Sequence, residues 1–258
     1  MIVTTSFDPS IEVVSKAGRL AEAYGGRFVP RRKYSLEHLR KNNKDSALLL
    51  VTREEIRYYE DDHPAAFFHP SMALVRVKRM LRGEIDLLVE ASGAASGDVI
   101  VDCTAGLASD SIVFSFAVGA QGSVTAVESE AIPAMLIQEG LALYESEVAE
   151  LNEAMRRISV IKQHHLAYLQ QLSAKSVDVV YFDPMFRNPI EESQAISHLR
   201  RNANDEAVTL DSIEEAKRVA RKSIVLKENR DSKEFARLGF EHVLRSTTKT
   251  TYGVIRLC

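Results

Sequence analysis

Polar side chains follow short apolar runs at four places between residues 98 and 184. The runs end at Asp102, Glu128, His164–His165 and Asp183. The carboxyl ends of parallel strands meet at one edge of a sheet, and ligands of open α/β folds bind there. We therefore expect these side chains to line one crevice, in which the carboxylates would accept hydrogen bonds from hydroxyl or amine groups.

The segment after the first of these runs combines small side chains with the start of a predicted helix, in the sequence DCTAGLASD over residues 102–110. Small residues let the backbone approach a ligand closely, and a helix N-terminus offers free amides. Gly106 is the only glycine there, so the three-glycine fingerprint of dinucleotide-binding folds is absent. A turn built only for tight packing is the alternative. We predict a nucleotide-like cofactor, contacted by Asp102, Thr104, Gly106, Ser109 and Asp110.

The next two strand ends predict further cofactor contacts. Glu128, followed by Ser129, comes about twenty residues after the turn, where an acid can accept hydrogen bonds from both ribose hydroxyls. Gln163, His164 and His165 follow the third strand. The two histidines either line the cofactor pocket or open a helix without touching a ligand, and Glu128 could likewise end a strand with no ligand role. We predict no metal site, because adjacent histidines point apart and no third ligand accompanies them.

The tetrapeptide Asp183-Pro184-Met185-Phe186 follows the fourth strand. It resembles the Asp or Asn, two prolines and aromatic residue of methyltransferases that act on exocyclic amines of bases, with Met185 at the second proline. A carboxylate and the next backbone carbonyl can accept hydrogen bonds from an amine, and an aromatic ring can stack on an extruded base. We predict that Asp183, Pro184 and Phe186 are catalytic and that Asp183 also contacts the cofactor. The alternatives are an Asp-Pro turn that only ends a strand and a Phe186 ring buried in the core.

Alternating strands and helices must position these residues. From about Gly97 the pattern is typical of βαβ units, and it predicts five parallel strands at residues 98–104, 123–128, 158–163, 177–183 and 223–228. Residues 240–246 and 252–257 leave no room for a crossover helix, so they predict an antiparallel hairpin at the sheet edge. A parallel sheet closed in this way is typical of class I methyltransferases that use S-adenosylmethionine. We predict an α/β fold with a doubly wound, Rossmann-like sheet.

The N-terminal part predicts a small α/β domain over residues 1–68, ahead of a methyltransferase domain over residues 69–258. A long amphipathic stretch from Ser71 to about Ala91 leads into the larger domain. Asp211 and Glu214 resemble a capping box that opens a helix over 212–222. The N-terminal strands are predicted at 2–4, 27–29, 47–51 and 56–60, with helices at 10–24 and 35–43.

Three segments resemble a known family: DCTAGLASD, ESEAIPAMLIQEGL from Glu128 to Leu141, and VVYFDPMF ending at Phe186. They are similar to the RsmJ family of class I methyltransferases, over about residues 98–190. The resemblance implies S-adenosylmethionine as cofactor, transfer to the exocyclic amine of a guanine, and ribosomal RNA or the small ribosomal subunit as partner. It also implies that the family's cofactor-binding positions are Ser109, Asp110, Glu128, Ser129, His164, His165 and Asp183.

Charge is distributed unevenly along the chain. The net charge of -3 argues against a polycation that coats nucleic acid. Residues 27–44, however, contain seven basic side chains against one acid, and Arg76, Lys78, Arg79 and Arg82 lie within seven residues. Both clusters either contact RNA or form solvated faces.

The composition, 45% hydrophobic and 27% charged, is typical of a soluble globular protein. No apolar run approaches the roughly 18 residues of a membrane-spanning helix. The first ten residues carry Asp8 and lack the pattern of a signal peptide, so we expect a cytoplasmic protein without membrane contact. Cys103 and Cys258 give neither a disulfide framework nor a zinc spacing.

Together these features predict an S-adenosylmethionine-dependent methyltransferase that acts on an exocyclic amine of a nucleic-acid base. Methylation of a small-molecule or protein amine is the alternative reaction, because the same sheet could serve it. A binding module without catalysis is the third possibility, and the presence of Asp110, Glu128 and Asp183 argues against it.

Overall fold

Two β-sheets organise the chain, whose computed structural model describes residues 1–61, 63–184, 207–240, 242–244 and 248–257. The first sheet has the strand order β2-β1-β3-β4-β5. Strands β2, β1 and β3 are parallel, and β4 and β5 join antiparallel. Its elements are β1 Ile2–Thr5, α1 Ile11–Ala23, β2 Arg27–Phe28, α2 Leu36–Asn43, β3 Leu48–Val51, β4 Ile56–Tyr59 and β5 Ala66–Phe67.

The four strands and two helices predicted for this part are confirmed, and β5 is an addition. The apolar face of the sheet packs on α1 and also contacts Met135 and Leu136, which belong to a helix of the second half. The core of the first sheet is therefore completed by a later segment of the chain. The domain boundary at residue 68 stays a prediction.

The second sheet has the strand order β11-β12-β10-β9-β6-β7-β8. The five strands from β10 to β8 are parallel, whereas β12 and β11 are antiparallel. The predicted doubly wound sheet with a C-terminal antiparallel hairpin is thus confirmed. The strands are β6 Val99–Asp102, β7 Ser123–Glu128, β8 Ile158–Lys162, β9 Val177–Phe182, β10 Ala220–Asn229, β11 His242–Val243 and β12 Thr250–Arg256.

Helices cover both faces of the second sheet. Successive strand residues point to opposite faces, and the side chains on both faces are apolar, so each face packs against helices. Val179 packs with Leu88 and Phe114 on one face, and its neighbour Val180 packs with Leu169 and Ile213 on the other. The helices are α3 Ser71–Leu81, α4 Leu87–Ser92, α5 Ser109–Val118, α6 Ala131–Leu143, α7 Ala149–Arg156, α8 His165–Gln171, α9 Leu210–Val219 and α10 Glu234–Arg237. Within the described ranges, no helix combines the length and the apolar character needed to cross a membrane.

The amphipathic stretch from Ser71 to Ala91 is divided into α3 and α4. Gly83 between them has a φ of 86°, in the left-handed region that favours glycine. Asp86 then caps α4, because its side chain accepts a hydrogen bond from the Leu88 amide at 3.0 Å. The break brings the Asp86 carboxylate back toward α3, where it meets Arg76.

Candidate functional site

The turn after β6 is built on a buried carboxylate. Asp102 is 1% exposed and accepts hydrogen bonds from the Ser111 hydroxyl at 2.5 Å and the Thr104 amide at 3.1 Å. Burial raises the pKa of Asp102 to about 7. The structure therefore places this predicted contact residue beneath the turn, where it fixes the turn's shape.

The middle of the turn has left-handed backbone at two positions. Gly106 has a φ of 54° and Ala108 a φ of 60°. This path aims the Gly106 amide at the Glu128 carboxylate, at 3.2 Å. Ser109 begins α5, and its hydroxyl oxygen is buried without a hydrogen-bond partner in the described part of the chain.

Glu128 lies at the end of β7, directly beside this turn. Its carboxylate accepts hydrogen bonds from the amides of Gly106 and Glu130, at 3.2 and 3.0 Å. Burial raises its pKa above the ordinary value. The adjacent Ser129 hydroxyl donates to the Glu130 carboxylate at 3.4 Å. The structure thus brings together Gly106, Ser109, Glu128 and Ser129, four of the predicted cofactor contacts.

The two histidines have different surroundings. His164 is the N-cap of α8, and its Nδ1 accepts a hydrogen bond from the Leu166 amide at 3.3 Å. His165 is buried against the Phe182 ring, and its Nε2 lies 3.0 Å from the Ser212 hydroxyl of α9. Burial lowers the pKa of His165 to about 4. The His165 ring therefore joins α8 to α9 and β9, and the contact of the two histidines with the cofactor stays a prediction.

Asp183 follows β9 and is tied to the cofactor turn. Its backbone amide donates to the Thr104 hydroxyl at 2.5 Å, so the end of β9 is fixed against the turn after β6. Pro184 follows and is half-buried. Met185 and Phe186 lie outside the described residues, so the catalytic role of Phe186 stays a prediction.

A network of charges extends from Asp183 along one face of the sheet. Lys227 of β10 contacts Asp183 at 2.7 Å and Asp110 at 3.1 Å. Asp110 also accepts hydrogen bonds from the Tyr181 hydroxyl, at 2.7 Å, and from Arg76 of α3. Arg76 in turn binds Asp86 at 2.7 Å. Three carboxylates and two cations therefore form one connected network at the carboxyl end of the sheet, with one negative charge in excess.

Asp110, Asp183 and Lys227 of this network have displaced pKa values. Burial acts against ionisation of Asp110, but Lys227 and Arg76 hold the pKa of Asp110 well below its usual range. Burial raises the pKa of Asp183 to about 6, with Lys227 lowering it and Asp110 raising it. The pKa of Lys227, which burial alone would lower, is raised by the same two carboxylates. Asp110 is thus the firmly ionised centre, and of the two acids that contact Lys227, Asp183 is the one that titrates nearer to neutral pH.

Sequence reasoning missed Lys227 and the pairing of Arg76. A lysine at the end of the apolar run SIVLK is the one signal that could have identified Lys227. Arg76 was expected either to contact RNA or to lie on a solvated face, and the structure corrects both because its guanidinium is 17% exposed and holds two carboxylates. Lys78 and Arg79 of the same cluster pair with Glu147 and Glu84.

The basic residues of 27–44 are arranged differently. The Arg31 guanidinium lies 4.0 Å from the centre of the exposed Phe7 ring. Arg32 and Lys33 are exposed and make no ion pair with a described residue, and Tyr34 beside them is 44% exposed. These five residues, Phe7 and Arg31 to Tyr34, are called the basic-aromatic loop below.

The turn after β6 fits S-adenosylmethionine, the cofactor that the sequence predicts. Small residues and left-handed backbone at Gly106 and Ala108 leave the turn open to close approach. The amides that bind Glu128 orient its carboxylate, whose oxygens have further lone pairs for ribose hydroxyls. The buried Ser109 hydroxyl is a further polar atom available to a ligand.

Comparisons with known proteins agree with this site. Residues 31–251 match the family model described as "Putative SAM-dependent methyltransferase". Protein YpiP of Bacillus subtilis strain 168 is 41% identical over 255 residues, which are 99% of each chain. A ribosomal RNA small subunit methyltransferase J, from Acinetobacter baumannii strain ACICU, is 35% identical over 124 residues. That match covers 46% of this chain and 43% of the Acinetobacter protein.

A solved structure shows the same fold along almost the whole chain. The SAM-dependent methyltransferase from Neisseria gonorrhoeae superposes with a TM-score of 0.66, at 18% identity, over 99% of this chain and 96% of the other. The family model covers most of the sequence, and the site geometry suits its cofactor. The chain belongs to this family of S-adenosylmethionine-dependent enzymes and is an RsmJ-like class I methyltransferase.

Proposed function

We propose that the enzyme methylates the exocyclic amine of a guanine in small-subunit ribosomal RNA. The observation that carries the proposal is the position of Asp183 and Pro184, at the end of β9 and hydrogen-bonded to the cofactor turn through Thr104. The partial likeness to the Acinetobacter methyltransferase J supports ribosomal RNA as the substrate.

The residues at this position can orient an amine. S-adenosylmethionine, held by the turn and by Glu128, supplies an electrophilic methyl group. The Asp183 carboxylate and the Pro184 carbonyl accept hydrogen bonds from the two amine hydrogens, which directs the nitrogen lone pair into the crevice. Nitrogen can attack before it loses a proton, so orientation contributes most of the acceleration. Asp183 is also placed to accept the proton afterwards, because its pKa lies near 6.

The basic-aromatic loop favours RNA over a small-molecule substrate. Single-stranded RNA binds proteins through phosphate contacts with basic residues and through stacking of bases on aromatic rings. Arg32, Lys33 and Tyr34 expose both kinds of group without ion pairs to described residues. A small amine would need no such surface.

The test is a comparison of methylated positions in 16S ribosomal RNA from cells with and without the gene. We expect one N2-methylguanine to disappear on deletion and to return with the intact gene, as measured by mass spectrometry of RNA fragments. Asp183→Ala should not restore it, whereas Asp183→Asn should restore a part, because the amide oxygen still accepts one hydrogen bond. An unchanged set of methylated guanines in the deletion strain would refute the proposed substrate.

A further inference from the structure

Lys227 is the one side-chain cation that contacts the predicted catalytic acid, among the residues that the structure describes. Its ammonium group lies 2.7 Å from Asp183 Oδ2 and 3.1 Å from Asp110 Oδ2. The Lys227 side chain is 23% exposed, so solvent screens these contacts only in part. Two carboxylates thus share one lysine at the edge where the substrate amine would bind.

Asp110 does not depend on this lysine alone. Arg76 and the Tyr181 hydroxyl also donate to Asp110, which keeps two further donors if the Lys227 charge is removed. Asp183, in contrast, would face the negative charge of Asp110 without a counter-charge. Two adjacent carboxylates cannot both stay ionised easily, and one of them then takes up a proton. Removal of the lysine should therefore protonate Asp183 and leave Asp110 ionised.

We propose that Lys227 is a positioning residue that keeps Asp183 ionised and fixes its carboxylate through Oδ2, so that the remaining lone pairs accept the hydrogens of the substrate amine. This role rests on the function proposed above for Asp183. A protonated Asp183 would offer a donor where the amine needs an acceptor, and a carboxylate without the lysine would rotate more freely.

The groups that surround Asp183 define what a titration would report. Among the described residues, these groups are Asp110 on α5, Asp102 on β6 and Tyr181 on β9. Arg76 on α3 acts on Asp110, Tyr252 on β12 acts on Lys227, and Asp86 acts on Arg76.

A carboxyl titration tests the proposal without any RNA. Protein labelled with ¹³C in the aspartate carboxyls is titrated by NMR, and Asp183→Asn identifies the Asp183 resonance. In Lys227→Met we expect the Asp183 pKa to rise by about 1–3 pH units, the usual effect of losing a neighbouring opposite charge. Lys227→Arg should restore most of the original value. The same Asp183 pKa in the intact protein and in Lys227→Met would overturn the proposal.

Lys222→Met is the matched control. Lys222 lies on the same strand and pairs with Asp98 at 2.5 Å, but at the opposite end of the sheet. The Lys222→Met variant removes an equal charge and should leave the Asp183 titration unchanged. If Lys227→Met fails to fold, as judged by circular dichroism, Lys227→Gln removes the charge, keeps a hydrogen-bond donor, and carries the same prediction.

The pH profile of methylation links the titration to function. With 16S ribosomal RNA from cells that lack the gene, and with saturating S-adenosylmethionine, the acidic limb of kcat should move to higher pH in Lys227→Met. A shifted Asp183 titration in an enzyme that does not methylate this RNA would refute the substrate and leave the role of Lys227 intact. A shifted titration with an unmoved acidic limb would overturn the link between Asp183 ionisation and catalysis.

Discussion

Both sheets carry charged residues near the carboxyl ends of their parallel strands. The charges are exposed in the first sheet, but they are buried and paired in the second. In the first sheet the loops after β1 and β2 form the basic-aromatic loop, where Arg32 and Lys33 are exposed. In the second sheet Asp102, Asp110 and Asp183 lie at the corresponding edge, and each carboxylate or its neighbouring amide is bound by another group of the same site.

The contrast indicates what each edge can do. Exposed cations are solvated at little cost, so they can exchange water and counterions for the phosphates of a polyanion. Buried charges are stable only when paired, so those of the second sheet hold one geometry. The edge of the first sheet is suited to binding RNA, and the edge of the second sheet is suited to positioning the substrate amine. The predictions below test this difference, from the largest expected effect to the smallest.

Asp110→Asn should have the largest effect, on stability. A neutral amide replaces the carboxylate that accepts hydrogen bonds from Arg76, Lys227 and the Tyr181 hydroxyl, and a hydrogen bond to a charged group contributes about 1.5–3 kcal/mol. Urea unfolding at pH 7 measures the loss. Glu147→Gln is the control, because Glu147 forms an exposed ion pair with Lys78. Equal unfolding midpoints for the two variants would contradict a structural role for the network.

Glu128→Ala should weaken S-adenosylmethionine binding about tenfold or more. The ribose would lose two charge-assisted hydrogen bonds, each worth about 1.5–3 kcal/mol. Titration calorimetry on the folded variant measures this loss. Glu145→Ala is the control, because it removes an equal charge from an exposed ion pair with Arg156, just after the opposite end of α6. Unchanged affinity in Glu128→Ala would remove the ribose assignment.

The positions of these acids could be predicted from the sequence, because an apolar run that ends in an acid marks a strand end. Asp102 and Glu128 are the last residues of β6 and β7, and Asp183 directly follows β9, close to the predicted strand ends. Their partners could not be predicted in the same way. Lys227 and Arg76 come from elements far along the chain, and only the strand order brings them to the acids.

Local charge rules were also misleading at the start of β10. Arg221 and Lys222 were expected to end a helix over 212–222, where cations suit the helix dipole. The helix instead runs from Leu210 to Val219, capped by Thr209, and the two cations begin β10, where they pair with Asp178 and Asp98. Tertiary ion pairs thus replaced the local interaction that the sequence indicated.

His165→Gln should change the pH dependence of stability. The folded pKa of His165 is about 4, below its ordinary 6.5, so the unfolded chain binds the proton first as the pH falls. Stability should therefore decrease from pH 6.5 to 4, by up to roughly 3 kcal/mol. The variant should lose this decrease and keep its affinity for S-adenosylmethionine. A large loss of cofactor affinity would instead support the predicted cofactor contact.

The smallest effect concerns the basic-aromatic loop, in a variant with Arg31, Arg32 and Lys33 all changed to Ala. We expect weaker binding of 16S ribosomal RNA and a salt dependence of log affinity that is flatter by up to about 0.7 per lost phosphate contact. The control changes Lys78, Arg79 and Arg82 to Ala, which removes the same charge from a cluster in which Lys78 and Arg79 are already paired.

Filter binding at several salt concentrations distinguishes three outcomes for these two variants. A larger effect in the loop variant places RNA on the edge of the first sheet, because its cations are free to exchange counterions for phosphates. Equal effects would mean that only net charge matters. In every case we expect both variants to keep their affinity for S-adenosylmethionine. Unchanged RNA affinity in the loop variant would show that the loop is a solvated face, and the contrast between an RNA-binding edge and a positioning edge would then fail.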